Sequence, residues 1–248
     1  MSGVMLVTGA SRGIGAATAI EAGRQGYAVC VNYNRSQEKA EQVLAAITDA
    51  GGKAIVVQGS VGTTADVLRI FEAMDKELGP ITALVNNGGI IGKPGRADEA
   101  TEAMLTNLFA VNITGCFLCA REAIRRMSTA HGGDGGSIVN VSSIASRFGG
   151  AGNLIPYSAS KGALDTFTIG LAEEVGPEGI RVNAVNPGLI DTDIHAEYGE
   201  PNRRIDFAPN VPLRRAGSPE EVAKTIVWLC SDDASYVSRA LLDVTGGW

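Results

Sequence analysis

Histidine is nearly missing from this chain: there are two, His131 and His195, well separated. A metal centre built on imidazoles, or a Ser-His-Asp triad, is excluded by so little histidine so placed. Cysteine is also scarce. The four residues Cys30, Cys116, Cys119 and Cys230 do not make a secreted disulfide framework in 248 residues. Cys116 and Cys119 form a C-x-x-C, but it lies mid-helix beside Phe117, Leu118 and Ala120 with no second pair. Packing is expected of it, not redox or metal chemistry. Basic residues are the minority, 21 against 27 acidic ones, for a net charge of -6. That balance offers no footprint for nucleic acid. No apolar run reaches membrane-spanning length, and the opening "MSGVMLVTGASRG" lacks the basic start and apolar stretch of a signal peptide. A cytoplasmic protein with neither nucleic-acid nor membrane partner is expected.

What is abundant is apolar residues, 45% of the chain, and glycine, with 32. The first allows a large core, and the second implies tight turns and close backbone approaches. Short β-branched runs alternate with helical patterns from end to end. The predicted strands are 4–9, 28–33, 53–58, 81–87, 137–143, 180–187 and 240–246, several of them apolar without alternation, as strands covered on both faces are. The helical stretch 36–52 opens on Ser36 and closes on Gly51. Repeated βα units predict an α/β fold: one Rossmann-type, doubly wound parallel sheet of about seven strands, with helices on both faces. No interdomain linker interrupts residues 1–248. The "HGGDGG" of 131–136 reads as a turn, and the excursion around 190–212 as a substrate loop. It carries His195, Arg203 and Arg204, each either a substrate contact or a surface group.

"VTGASRGIGAATA" (7–19) follows the first strand and opens the first helix. Gly9, Gly13 and Gly15 permit a tight turn and close approach, and the helix N-terminus offers N–H groups to a pyrophosphate. An NAD site would place an acid about 20 residues further on, for the ribose hydroxyls. Here that region reads "NYNRSQE". Arg35 stands in the acid's place and Arg12 sits in the glycine loop, which favours NADP(H), with NAD(H) still possible.

"IPYSASKGAL" (155–164) sets Tyr157 four residues before Lys161, with a helix starting after Pro156. Tyr157, Lys161, Leu164, Thr168, Leu171 and Val175 then form one inward stripe. A phenol is a poor base at its ordinary pKa of about 10, and a neighbouring ammonium favours its phenolate. Ser142 and Ser143 end a strand where open α/β sheets bind ligands, and Asn112 on an earlier helix points to the same cleft. These groups suit proton exchange with an alcohol or carbonyl while a hydride moves to or from a nicotinamide.

In combination, "TGASRGIG", "NNGG" (86–89), Asn112, Ser143, "YSASK" and "NPGLIDT" (186–192) resemble the short-chain dehydrogenase/reductase family, in order and approximate spacing, over essentially the whole chain. Members labelled glucose 1-dehydrogenase-like or 3-oxoacyl-carrier-protein reductase-like are the most similar. The resemblance implies Tyr157 as acid/base, Lys161 as its electrostatic partner and ribose ligand, Ser143 as substrate-orienting hydroxyl, and Asn112 as holder of a relay water. It implies cofactor contacts from Gly9, Ser11, Arg12, Gly13, Ile14 and Gly15, from Asn34, Arg35 and Ser36, and from Ser60, Val61, Asn87 and Gly88. Pro187, Gly188, Ile190 and Thr192 would flank the nicotinamide. It further implies a homotetramer, with helix contacts from 100–127 and the Tyr157 helix and a second contact at the last strand and Trp248.

Three positions depart from the family. Gly88 replaces an alanine and is expected to loosen its turn; Ser60 stands where an aspartate meets adenine; Thr82 replaces a frequent aspartate and reads as structural. Ser143 lies 14 residues before Tyr157 where 13 is usual. A dinucleotide-sensing regulator without turnover is the alternative from another class, and an epimerase or dehydratase a more distant one. Aldose, steroid, acyl thioester and small ketone all remain open as substrates.

Overall fold

The computed structural model describes residues 3–150, 153–192 and 202–248, apart from the side chains of Arg203 and Arg204. His195 and much of the 190–212 excursion fall outside them. Among the described residues, all seven predicted strands form: β1 (Val4–Val7), β2 (Ala28–Tyr33), β3 (Ala54–Gln58), β4 (Ala83–Asn86), β5 (Gly136–Val141), β6 (Ile180–Pro187) and β7 (Leu241–Val244). They make one parallel sheet in the order β3-β2-β1-β4-β5-β6-β7. The order reverses beside β1, where Val7 pairs with Val31 on one side and Val85 on the other. A crevice opens at the carboxyl ends of strands at such a switch point.

Both sheet faces are covered, which is why the strands read as apolar runs. Alternate residues of β1 feed opposite cores. Met5 and Val7 pack with α1 (Gly13–Arg24), α2 (Gln37–Asp49) and a late helix, Pro219–Cys230. Val4 and Leu6 pack with α3 (Thr64–Glu77), α5 (Gly115–Met127) and α7 (Ile155–Val175). The helix α4 (Glu102–Phe109) precedes α5, α6 (Ala145–Phe148) precedes α7, and α8 (Arg203–Phe207) precedes α9, the late helix just named. The stripe expected on α7 is the inward one: Lys161, Leu164, Thr168, Leu171 and Val175 are buried. Its start is corrected. Pro156 lies inside the first turn, where its missing N–H costs nothing.

Two further expectations are resolved here. The four cysteines are free and buried, and burial pushes the Cys116 thiol up to about 11, so the C-x-x-C packs. The continuous helical run Glu102–Met127 is, by length and composition, apolar enough to cross a bilayer, which the sequence reading missed. Its inner residues Cys119, Ala120, Ala123 and Met127 belong to the core against the sheet.

One charge on α5 is buried with these. Glu122 takes hydrogen bonds from Arg121 (3.1 Å), Arg125 (3.0 Å) and Arg126 (3.0 Å). Burial pulls its carboxyl upward, but the bonds from Arg126 and Arg121 and the charges of Arg125 and Arg126 outweigh it and hold it below the ordinary 4.5. A carboxylate with a depressed folded pKa stabilises fully above its unfolded value, and that contribution is lost as pH falls through the folded one. Glu122→Gln should therefore cost about 2 kcal/mol at neutral pH and flatten the acid limb of the melting-temperature profile. An acid limb unchanged from wild type would show that this carboxylate is not a source of acid sensitivity.

Candidate active site

The loop that leaves β1 is held by side chains from its two neighbouring strands. Thr8 Oγ1 donates to the Val85 carbonyl (3.3 Å) and accepts from the N–H groups of Asn87 (3.0 Å) and Gly88 (2.9 Å). Asn87 Nδ2 donates back to the carbonyls of Thr8 (2.9 Å) and Gly9 (3.1 Å). Asn32, on β2, accepts from the Gly9 N–H (3.2 Å) and donates to the Val57 and Gly59 carbonyls. The glycine loop is thereby fixed before any ligand arrives. The turn at Gly88 is pinned by Thr8, not loosened as its departure from alanine suggested.

Gly9 and Gly13 lie at positive φ, 60° and 55°. A Cβ on Gly15 would fall 2.4 Å from Asn87 Nδ2, and one on Gly13 3.3 Å from Thr192 Cγ2. The loop therefore faces Thr192, beyond β6, across the crevice. Arg12 is the N-cap of α1, with extended backbone and no capping bond from its side chain to the helix, and no acid occupies the first turn. The first N–H groups of α1, with Ser11 and Ile14 beside them, suit a pyrophosphate. Asn34 and Arg35 are exposed and Ser36 half-buried just past β2, the edge expected to meet a ribose 2′-phosphate.

Several expected cofactor residues prove to be oriented differently from a simple lining role. Val61 turns into the core against Gly115, and Ile190 is buried, so each faces the crevice with backbone alone. Asn87 spends its amide nitrogen on the loop. Ser60 accepts from Gly62 N–H (3.3 Å) and donates its own N–H to Asp66 (2.9 Å). The Ser60 bond, then Arg69, hold the Asp66 carboxyl below its usual range. Pro187 gives its carbonyl to Ile144 N–H, and Gly188 donates to the Val244 carbonyl, where a Cβ would meet Thr245 Cα at 2.8 Å. Thr82 is structural as read, bonding the Val4 carbonyl.

At the other end of the crevice, α7 and the end of β5 carry the candidate reacting groups. The Lys161 ammonium donates to the Val141 carbonyl (2.7 Å) and lies 5.7 Å from the Tyr157 ring centre. It adjoins Gly89, whose added Cβ would lie 3.7 Å from Lys161 Nζ and 3.4 Å from Asn112 Oδ1. Asn112 sits in a π-turn, Ala110–Thr114, between α4 and α5. Its amide grips Ile90 through both N–H and carbonyl (2.8 Å each) and donates to Ser160 Oγ (3.0 Å). Ser160 in turn donates to the Tyr157 carbonyl (2.6 Å). The Asn112 side chain is thus a brace, and a relay water would have to use another of its atoms. The two serines divide cleanly. Ser142 is buried and donates to the Lys161 carbonyl, whereas Ser143 is half-buried and accepts from Ala145 N–H.

Sequence reasoning missed Thr8, Asn32, Gly89, Ser160 and the Val141 carbonyl. Ser160 lies inside the quoted "YSASK", and Gly89 inside "NNGG"; both carried a signal. The carbonyl had none.

Comparison with known proteins accords with this geometry. A family profile described as Enoyl-(Acyl carrier protein) reductase matches residues 9–248. The Escherichia coli (strain K12) protein named uncharacterized oxidoreductase YgfF is 48% identical over 244 residues, spanning 98% of this chain and 99% of that one. Tetrahydroxynaphthalene reductase of Pyricularia oryzae is 36% identical over 256 residues, 98% of this chain and 88% of that one. A solved short chain dehydrogenase from Burkholderia cenocepacia, in complex with NADP, has a TM-score of 0.90 at 29% identity, covering 99% and 97% of the two chains.

Gly15→Ala should weaken dinucleotide binding at least tenfold by calorimetry, because its Cβ would meet the Asn87 amide and the Gly9 carbonyl. Gly170→Ala, an exposed mid-helix site with nothing within 4 Å, should leave affinity alone and raise stability by about 0.5–1 kcal/mol. Equal affinities for the two variants would refute a built phosphate loop.

Proposed function

The chain belongs to the short-chain dehydrogenase/reductase family, and from that membership we propose an NADP(H)-preferring oxidoreductase that interconverts an alcohol and a carbonyl. Its relatives are named oxidoreductases and reductases, so an NAD(P)-dependent oxidoreductase is the plain reading at the coarser level. The finer proposal rests on one observation: a buried ammonium fixed between the Tyr157 ring and the Val141 carbonyl, in the same crevice as the glycine loop.

The nicotinamide, when bound, supplies the hydride acceptor or donor. The chain's own residues do the rest. Ser143 donates its hydroxyl hydrogen to the substrate oxygen. Tyr157 exchanges a proton with that oxygen, as acid in reduction and base in oxidation. Lys161 stabilises the phenolate by its charge and lies within the same crevice as a ribose would. Asn112 and Ser160 hold the Tyr157 turn against Ile90. Gly9, Gly13 and Gly15 leave room for the pyrophosphate, and Arg35 answers the 2′-phosphate. A homotetramer is part of the proposal, supported by Phe117, half exposed on α5 and packed on Phe167 of α7 at 3.9 Å between ring centres.

A dinucleotide sensor without turnover is less well supported, since it has no use for a phenol beside a buried ammonium. Tyr157→Phe should lower turnover by about 10²–10⁴-fold while NADPH affinity stays within twofold; a folded variant that no longer binds dinucleotide would assign this tyrosine to binding instead. Arg35→Ala should weaken NADPH at least tenfold more than NADH. Equal losses for the two cofactors would remove the 2′-phosphate contact.

A further inference from the structure

Beyond Ile190 and Thr192, the segment after Ser143 and the described part of the substrate loop carry no side chain so far given a role, yet they converge on one ring. Trp248 lies 6.0 Å from Phe148 and 6.5 Å from Phe207 between ring centres, tilted by 53° and 44°. Both separations fall in the range of edge and offset aromatic contacts. Phe148 ends α6, five residues past Ser143. Phe207 ends α8, and Trp248 follows β7, whose neighbour β6 ends at Pro187, just before Gly188. The three rings therefore stand on the substrate side of the carboxyl edges of β5, β6 and β7. We infer that this trio is the specificity wall of the proposed oxidoreductase, and that it selects a flat, uncharged, ring-bearing carbonyl or alcohol. The inference rests on the reading under the previous heading.

The wall is anchored from behind. Arg147 pairs with Asp243 (2.5 Å), which also accepts from Asn186 (3.3 Å), fixing α6 to β7 and β6. Thr245 Oγ1 accepts from the N–H groups of Gly247 (3.2 Å) and Trp248 (3.1 Å), and Leu213 donates to the Gly246 carbonyl (3.1 Å). Gly246 lies so close that a Cβ would meet Val211 Cγ1 at 2.8 Å. The rings are held at their roots; Phe207 and Trp248 are half-buried and Phe148 is exposed. Phe148 is 57% exposed, and Ile205 and Leu213, in the neighbouring segments, are 63% exposed each. In a chain only 5% aromatic, gathering three rings at one edge, the edge to which the resemblance also assigns a subunit contact, is a composition suited to stacking.

Charge points the same way. Arg147 is taken by Asp243, Arg215 by Glu221 (2.7 Å), and Arg214 by the Pro209 carbonyl. The cations of these segments whose side chains are described thus already have protein partners, and an anionic substrate would have to displace one.

The chain has two tryptophans, so Trp228→Phe leaves Trp248 as the sole indole reporter. Three probes separate the possibilities: 1-tetralone, the open-chain 2-decanone, and a tetralone bearing a carboxylate. With NADPH bound, 1-tetralone should quench Trp248 emission, and kcat/KM should favour it at least tenfold over both others. Trp248→Ala should erase that preference by raising KM about tenfold, with kcat and NADPH affinity little changed. Equal turnover of cyclic and open-chain ketones would overturn the inference, as would preference for the carboxylate. So would a Trp248→Ala variant that only dissociates the assembly or slows every substrate alike. Failure to reduce any carbonyl while binding NADPH would instead refute the oxidoreductase reading; quenching of Trp248 by 1-tetralone would then still support the aromatic wall, and no quenching would end it.

Discussion

A single buried cation organises the candidate reacting end of this protein. Lys161 is 6% exposed, and an ammonium so placed is tolerable only when something answers its charge. One answer is the Val141 carbonyl at the end of β5. The others are a crevice left open for ligand and a phenol one helical turn away. The requirement propagates outward. The helix carrying Lys161 must lie close on β5, and Ser142 secures this by bonding the Lys161 carbonyl. Deeper in, Asn140 bonds Thr168 (2.9 Å) and accepts from Asn86 (2.9 Å), so β4, β5 and α7 share one polar spine. Each of these bonds is buried, where an unpaired partner would cost more than the bond gains.

The same logic recurs at the phosphate end with neutral groups. Thr8, Asn32 and Asn87 spend nearly all their capacity on the backbone of adjoining strands. What they stabilise is a loop with few side chains to pack, Ala10 and Ile14 being the ones that meet the core, since glycine is required where the chain approaches itself or a ligand. Polar side chains inside the sheet's carboxyl edge thus do the work that apolar packing does elsewhere.

Much of this was legible beforehand. Seven apolar runs became seven strands because a parallel sheet covered on both sides demands continuous hydrophobicity. The predicted strands ran too long at their carboxyl ends, at Thr8–Gly9, Asn87, Ser142–Ser143 and Thr245–Gly246, and the excess is instructive. Those residues resemble strand in type, but they leave the ladder to build the crevice. Tyr157 and Lys161 were visible through their spacing, and Ser143 through its place after a strand. The Val141 carbonyl was not, because every residue has a carbonyl. Nor were the inward turns of Val61 and Ile190: an apolar residue in a loop says nothing of whether it faces ligand or core. Asn112 was found, but its bracing of Ile90 and Ser160 depends on a local widening of the helix that no composition marks.

That widening has an architectural meaning. A π-turn accommodates one residue more than an α-helical turn of the same span, and it does so without rotating what comes before or after it by the about 100° that an extra residue imposes. Leu108 upstream and Cys119 downstream consequently both still meet the core. Asn112 can thereby leave the regular turn to brace Ile90 and Ser160 while the helix on either side of it keeps its register on the core.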